Sequence, residues 1–221
     1  MGDRLELEES PDEDDQQNGI EKIHNSLSET IRELGNYLRL TGASKILRRY
    51  FAMNAFDGSM TSLGVVMGAW VSHIVDPANI IWVIVTSGVA MMVSGFSGTY
   101  MTESAERAKS LNELEDAMLV DLDKTVYGQA SRFVSLFAAL VDGTAPFLAS
   151  IPSLIPFILV PQSLQISNAF MISIGAALAT LFILGVYLGR ISEKSLLASG
   201  LKMVVSGIAV ALIALVLDVQ G

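Results

Sequence analysis

The chain alternates long apolar blocks with short polar breaks. Bounded by charge, or by Pro and Asn, the blocks run roughly over 50–74, 79–101, 133–160, 167–189 and 195–217. Each approaches the roughly 20 residues a helix needs to cross a bilayer. The pattern predicts an all-α polytopic membrane protein with five transmembrane helices. Ahead of the first block, Ile20, Ile23, Leu27, Ile31, Leu34 and Leu38 recur at intervals of three and four with charges between them. That is one stripe of an amphipathic helix, expected over 20–44 on the inner membrane surface or against another subunit. Residues 1–19 carry eight acidic residues against Arg4 alone. With so few large apolar side chains they cannot bury a core, and a disordered acidic tail is expected. The remaining unit is a membrane domain over 45–221 with a short acidic helical loop over 103–131. No apolar block has the basic leader and small-residue cleavage site of a removable signal peptide, so insertion is expected through the chain's own helices.

Charge then fixes an orientation. All 14 Lys and Arg fall in the N-terminal segment, in the loop 103–132, or around Arg190, Lys194 and Lys202. The positive-inside rule therefore places the N-terminus and the long loop in the cytoplasm, and the short loops Asp76–Asn79 and Pro161–Ser167 outside with the C-terminus. The chain is 51% hydrophobic with a net charge of −9 and no Cys. Without thiols there is no disulfide framework and no thiolate metal site, so any metal must be held by oxygen, imidazole or thioether. His24 and His73 are isolated and are read as structural or surface residues. No nucleic-acid partner is expected.

Polar residues inside the blocks carry the candidate chemistry. Asp57 lies about two turns in from Arg48 and Arg49 and is followed by Gly58, Ser59, Met60, Thr61 and Ser62. A carboxylate at that depth costs at least ~2.5 kcal/mol unless it faces a partner or water, which makes it a functional candidate. Met53, Asp57, Met60, Gly64 and Met67 are spaced four, three, four and three and so share a helical face. In the third block Asp142-Gly143-Thr144 precedes Pro146, Pro152 and Pro156. Three prolines remove backbone donors and are expected to kink or break that helix, as where transporters build ion sites. The two Asp-Gly pairs, with Gly98-x-Tyr100 and Gly185-x-Tyr187, hint at a parallel two-span repeat.

The loop adds a third constellation. If 103–124 is one helix, Glu103, Glu106, Glu113, Asp116, Asp121 and Asp123 fall on one side and Leu111, Leu114, Met118 and Leu122 on the other. Several carboxylates on one face suit hard divalent cations, although a charge run is also the ordinary dress of a solvated face.

Asp57-Gly58-Ser59-Met60-Thr61-Ser62-Leu63-Gly64-Val65-Val66-Met67-Gly68-Ala69 resembles the first-helix signature of the vacuolar iron transporter family. The five-span count, the acidic segment between spans two and three, the Gly-x-Tyr closing span two and Ile155-Pro156-Phe157 are similar to that family as well. The resemblance covers about 45–220. It implies a homodimer in the cell membrane that exports ferrous iron or manganese from the cytoplasm, or loads it into a compartment, in exchange for protons. Metal would be cargo, with no tightly bound cofactor. Asp57 would be the pore carboxylate, and Glu103, Glu106, Glu113 and Asp116 would gather metal. Family members commonly place a Met in span two where this chain reads Gly95-Phe96-Ser97-Gly98-Thr99-Tyr100, so the nearest thioethers, Met91 and Met92, are the candidates there. Asp142 is a candidate from burial alone.

Two readings compete with a transporter. Asp57 and Asp142 could share a proton as an intramembrane aspartyl protease does, but neither lies in the sequence contexts of those enzymes, and no enzymatic activity is expected. Alternatively the polar groups could serve only helix packing in a membrane scaffold rich in Gly, Ala and Ser.

Overall fold

A computed structural model describes residue 35 and residues 42–122, 125–160 and 164–219. The expected tail over 1–19 and nearly all of the amphipathic segment 20–44 lie outside the described residues, as does Asp123. The described chain is five helices: α1 Ser44–Val71, α2 Pro77–Met118, α3 Val126–Leu159, α4 Ile166–Ile191 and α5 Leu196–Val219.

Local chemistry sets the helix ends. Asp76 caps α2, its carboxylate accepting from the Ala78 N–H at 3.0 Å, with Pro77 at the first helical position. Thr125 caps α3, accepting from the Gly128 N–H at 3.4 Å. α1 ends with the Ile74 N–H donating to the Ala69 carbonyl (2.9 Å) and the His73 N–H to that of Trp70 (3.0 Å). This is the Schellman arrangement, with His73 in the left-handed position (φ 53°) that glycine usually takes. His73 is thus a helix stop.

The second predicted span and the acidic loop are one helix. From Thr102 to Met118 there is neither Gly nor Pro, so nothing stops α2 at the membrane surface, and it runs for 42 residues, about 63 Å at 1.5 Å per residue. A bilayer core takes about half of that. α3 also begins ahead of its predicted block, so both helices extend past the membrane side by side. The expected break in α3 does not occur. It is α-helical through Pro146, Pro152 and Pro156, packed against α1, α2 and α4, and serine hydroxyls donate to nearby carbonyls. Ser150 reaches Phe147 O at 2.7 Å, Ser59 reaches Ala149 O at 3.3 Å and Ser173 reaches Ser153 O at 2.6 Å.

Helices α2 to α5 are long and apolar enough to cross a membrane. α1 has the length, but Asn54, Asp57, Ser59, Thr61 and Ser62 dilute its apolar run. It is sheltered instead by packing against all four other helices. Its contact with α3 is tightest at Gly58, where a Cβ would lie 2.1 Å from the Pro146 carbonyl oxygen. α2 and α3 also meet closely at Gly143, where a Cβ would lie 2.7 Å from the Met92 carbonyl oxygen. Both glycines follow an aspartate, so each Asp-Gly pair marks a helix crossing. Toward the end of the bundle where α1 stops and α2 begins, Val66, Ile80, Ile84, Phe157 and Phe170 form an apolar core. Leu63, Met67, Ala177 and Leu181 form a second one between α1 and α4. Trp82, Val93, Leu148, Ile183 and Leu212 are exposed, as expected of a surface solvated by lipid.

Candidate metal centre

The crossings at Gly58 and Gly143 bring Asp142 beside α1 and α2. Asp142 is 4% exposed, and each of its oxygens has a donor. The Asn54 amide of α1 donates to Oδ1, and the Thr99 hydroxyl of α2 donates to Oδ2 at 2.6 Å. Asn54 also donates to the Tyr50 carbonyl at 3.2 Å. One turn nearer the basic end of α1, the Tyr50 hydroxyl donates to Glu103 Oε1 at 2.8 Å, and Arg107 Nε donates to Glu103 Oε2 at 3.1 Å. A continuous polar seam therefore runs from Arg107 through Glu103, Tyr50 and Asn54 to Asp142 and Thr99. Asn54, Tyr50 and Thr99 escaped the sequence reading. For Asn54 a signal existed, since a primary amide inside a span has the same need for a partner as a carboxylate.

Asp57 is placed differently. It stands at the midpoint of α1, exposed on the protein surface, with no side-chain hydrogen bond among the described residues. On α1 it lies between Asn54, which donates to Asp142, and Gly58, which packs on the Pro146 backbone four residues along α3 from Asp142. Thr61, one turn on, donates to the Met91 sulfur of α2 at 3.7 Å, so Met91 borders the same stripe. Met92 lies at the α2–α3 crossing. Met60 is half-buried, packed on the cluster of Leu63 and Leu181. The stripe predicted on α1 runs from the surface into the core, because Met53 is 57% exposed whereas Met67 is 5% exposed. Met67 is packing.

The acidic residues of the extension divide too. Glu103 is buried at 3% exposure and fully engaged in the seam. Glu106, Glu113 and Asp116 are exposed, and Glu113 faces Lys109 at 3.8 Å. Asp121 lies beyond the end of α2, which stops at Met118 with Leu119 in the left-handed region (φ 53°). Glu106 is fifteen residues along α2 from Met91, about 22 Å by helical rise, so the candidates near Asp57 and those on the α2 extension form two separate groups. Among the described residues no three His, Cys, Asp or Glu converge as a preformed metal site.

Residues 116–218 match the VIT family. The uncharacterized protein MJ0645 of Methanocaldococcus jannaschii is 31% identical over 173 residues, 77% of this chain and 87% of that one. This chain belongs to the VIT family. The vacuolar iron transporter family is one of divalent metal transporters, not enzymes. Its members are membrane proteins, as the apolar helices here require. The geometry also speaks against an aspartyl dyad, since both Asp142 oxygens accept from Asn54 and Thr99 instead of sharing a proton with Asp57. No solved structure matches the chain.

Proposed function

We propose that this VIT-family protein exports ferrous iron, and also manganese, from the cytoplasm in exchange for protons, along a path whose central group is Asp57. One observation carries the reading. A carboxylate at the midpoint of α1, a helix packed against all four apolar spans, is exposed on the surface of the single chain, a position costing at least about 2.5 kcal/mol if lipid covered it. A second copy set against this stripe removes that cost by enclosing two Asp57 carboxylates in a polar path, so the working unit is a homodimer. Gly64 and Gly68 are also accessible on the stripe and leave room for a close helix approach.

An ion entering the path sheds water, which the carboxylates replace, and a carboxylate released by the metal accepts a proton for the return. Met91, and Met60 on the other flank, supply thioethers that favour ferrous iron over magnesium or calcium. Glu106, Glu113 and Asp116 raise the local metal concentration at the cytoplasmic entrance. The purified protein in liposomes should transport ferrous and manganous ions faster than zinc, with a rate that responds to an imposed pH gradient. Equal flux with and without the gradient would remove proton coupling, and absent flux for every metal would remove the transport reading.

Orientation is tested separately. The distribution of basic residues supports an N-terminus and an α2–α3 extension in the cytoplasm of a cell-membrane protein. A cysteine at Asn79 should then label from outside intact cells and one at Asn112 should not; the reverse pattern would invert the direction of transport.

A further inference from the structure

The basic ends of α1 and α4 enclose a groove of about 380 Å³ lined by Lys45, Arg48, Arg49, Leu188 and Ile191. The three cations are exposed, and among the described residues none of them lies within ion-pair distance of an acid. The helices are pinned together at this level by Phe51 against Tyr187, edge to face with ring centres 6.1 Å apart. Arg48 Nε donates to the Ser44 carbonyl at 3.2 Å, which occupies one of its five donors and leaves the rest of the fork available. The Arg49 guanidinium rests 5.6 Å from the centre of the Tyr50 ring. Arg190, in the last turn of α4, and Lys194, just beyond that helix, add positive charge at the same end, where Glu193 is the one acidic residue in Arg190–Lys194.

We propose that this groove binds an anionic phospholipid, its phosphate held by Lys45, Arg48 and Arg49 and the start of an acyl chain laid on Leu188 and Ile191. The groove is complementary to such a lipid in two ways. Exposed guanidinium and ammonium groups that meet no acid among the described residues seek a phosphate at the membrane surface, and the planar forks of two arginines hold one with directed hydrogen bonds. An apolar floor beneath them, at the level where the spans enter the bilayer, seeks hydrocarbon. A lipid satisfies both at once. The acidic segment 1–19 satisfies only the first, since Leu5 and Leu7 are its only large apolar side chains after Met1.

The test uses the full chain in an uncharged detergent, titrated with phosphatidylglycerol or phosphatidylcholine and read by native mass spectrometry and by the melting midpoint. Phosphatidylglycerol should be retained at least about tenfold more tightly, since each juxtamembrane basic residue contributes a factor of roughly five near an anionic group. Replacing Lys45, Arg48 and Arg49 together by Gln should abolish the preference, and Arg48→Gln alone should weaken it severalfold. Lys109→Gln, an equal change of charge on the α2 extension, should leave it intact. Leu188→Asn with Ile191→Asn keeps the cations and should also weaken retention. Folding of each variant is checked by its elution as a single species and its lipid-free melting midpoint. Equal binding of the two lipids, a triple variant that keeps the preference, or floor variants that bind as the parent does would overturn the proposal. So would phosphatidylglycerol binding that appears only after residues 1–19 are removed, which would assign the groove to the tail.

Discussion

Asp57 and Asp142 are neighbours in space with opposite surroundings. Asp142 is buried, and donors from two other helices meet both of its oxygens. Asp57 is exposed and unpartnered by side chains among the described residues. A carboxylate saturated by donors has little left to offer an ion, and its loss is felt by the helices it joins. A carboxylate that no protein group satisfies is available to cargo, and its loss is felt by flux. On the proposed reading, the pair separates a positioning aspartate from a transporting one.

The largest expected effect is on transport by Asp57→Asn. The amide keeps the size of the side chain and removes the charge that replaces the ion's water, so flux should fall by a factor of about twenty or more while the protein elutes and melts as the parent does. Flux within about twofold of the parent would break the comparison and the path assignment with it, since an uncharged group at that depth would then serve the ion as well.

Asp142 should behave in the reverse sense. Asp142→Ala removes two hydrogen bonds to a charge and leaves Asn54 and Thr99 buried without their acceptor, a loss of about 3 kcal/mol or more. The melting midpoint should drop clearly, whereas flux per folded molecule should change less than in Asp57→Asn. Thr99→Val, which removes one of the two donors, should cost about half as much. If Asp142→Ala melts normally but transports nothing, Asp142 belongs to the path and the two roles merge.

How far the sequence reaches is seen in the same two residues. Asp57 was legible because the cost of a carboxylate in hydrocarbon is a local property that needs no fold. The five helices were legible for a related reason, since bilayer thickness sets a length that each apolar block must meet. The partners of Asp142 were not legible. They lie 88 and 43 residues away in sequence, and they meet only because helices cross at Gly58 and Gly143, a choice no periodicity encodes. The acidic face misled for a similar reason. Helical spacing put Glu103 with Glu106, Glu113 and Asp116, but α2 leans on α1 at its first turn past the span, and Tyr50 takes Glu103 out of the exposed set.

That division gives a smaller prediction. Replacing Glu106, Glu113 and Asp116 by Gln, Gln and Asn should raise the metal concentration needed for half-maximal flux by about threefold while the maximal rate changes less, since only the entrance charge is lost. Glu103→Gln should act mainly on stability, because Tyr50 and Arg107 lose a charged acceptor. An unchanged half-maximal concentration in the triple variant would leave the face as solvated surface.

The smallest expected effect decides on which flank of Asp57 the ion passes. Met91 borders the stripe through its contact with Thr61 on the side of Asp142, whereas Met60 turns toward α4 and α5 and is partly taken up by packing against Leu63 and Leu181. Leucine matches methionine in volume and costs little in such places, so a change in ion preference reports the sulfur. Met91→Leu should lower the ratio of iron to manganese flux by about threefold, because a thioether favours the softer ion. Met60→Leu should lower it in the same direction but by less. Measured as initial rates with both metals at equal concentration, this ordering runs the ion between α1 and α2, on the flank where Asp142 lies. The opposite ordering would run it along the α5 side, leave Asp142 a purely structural group, and so widen the contrast between the two aspartates.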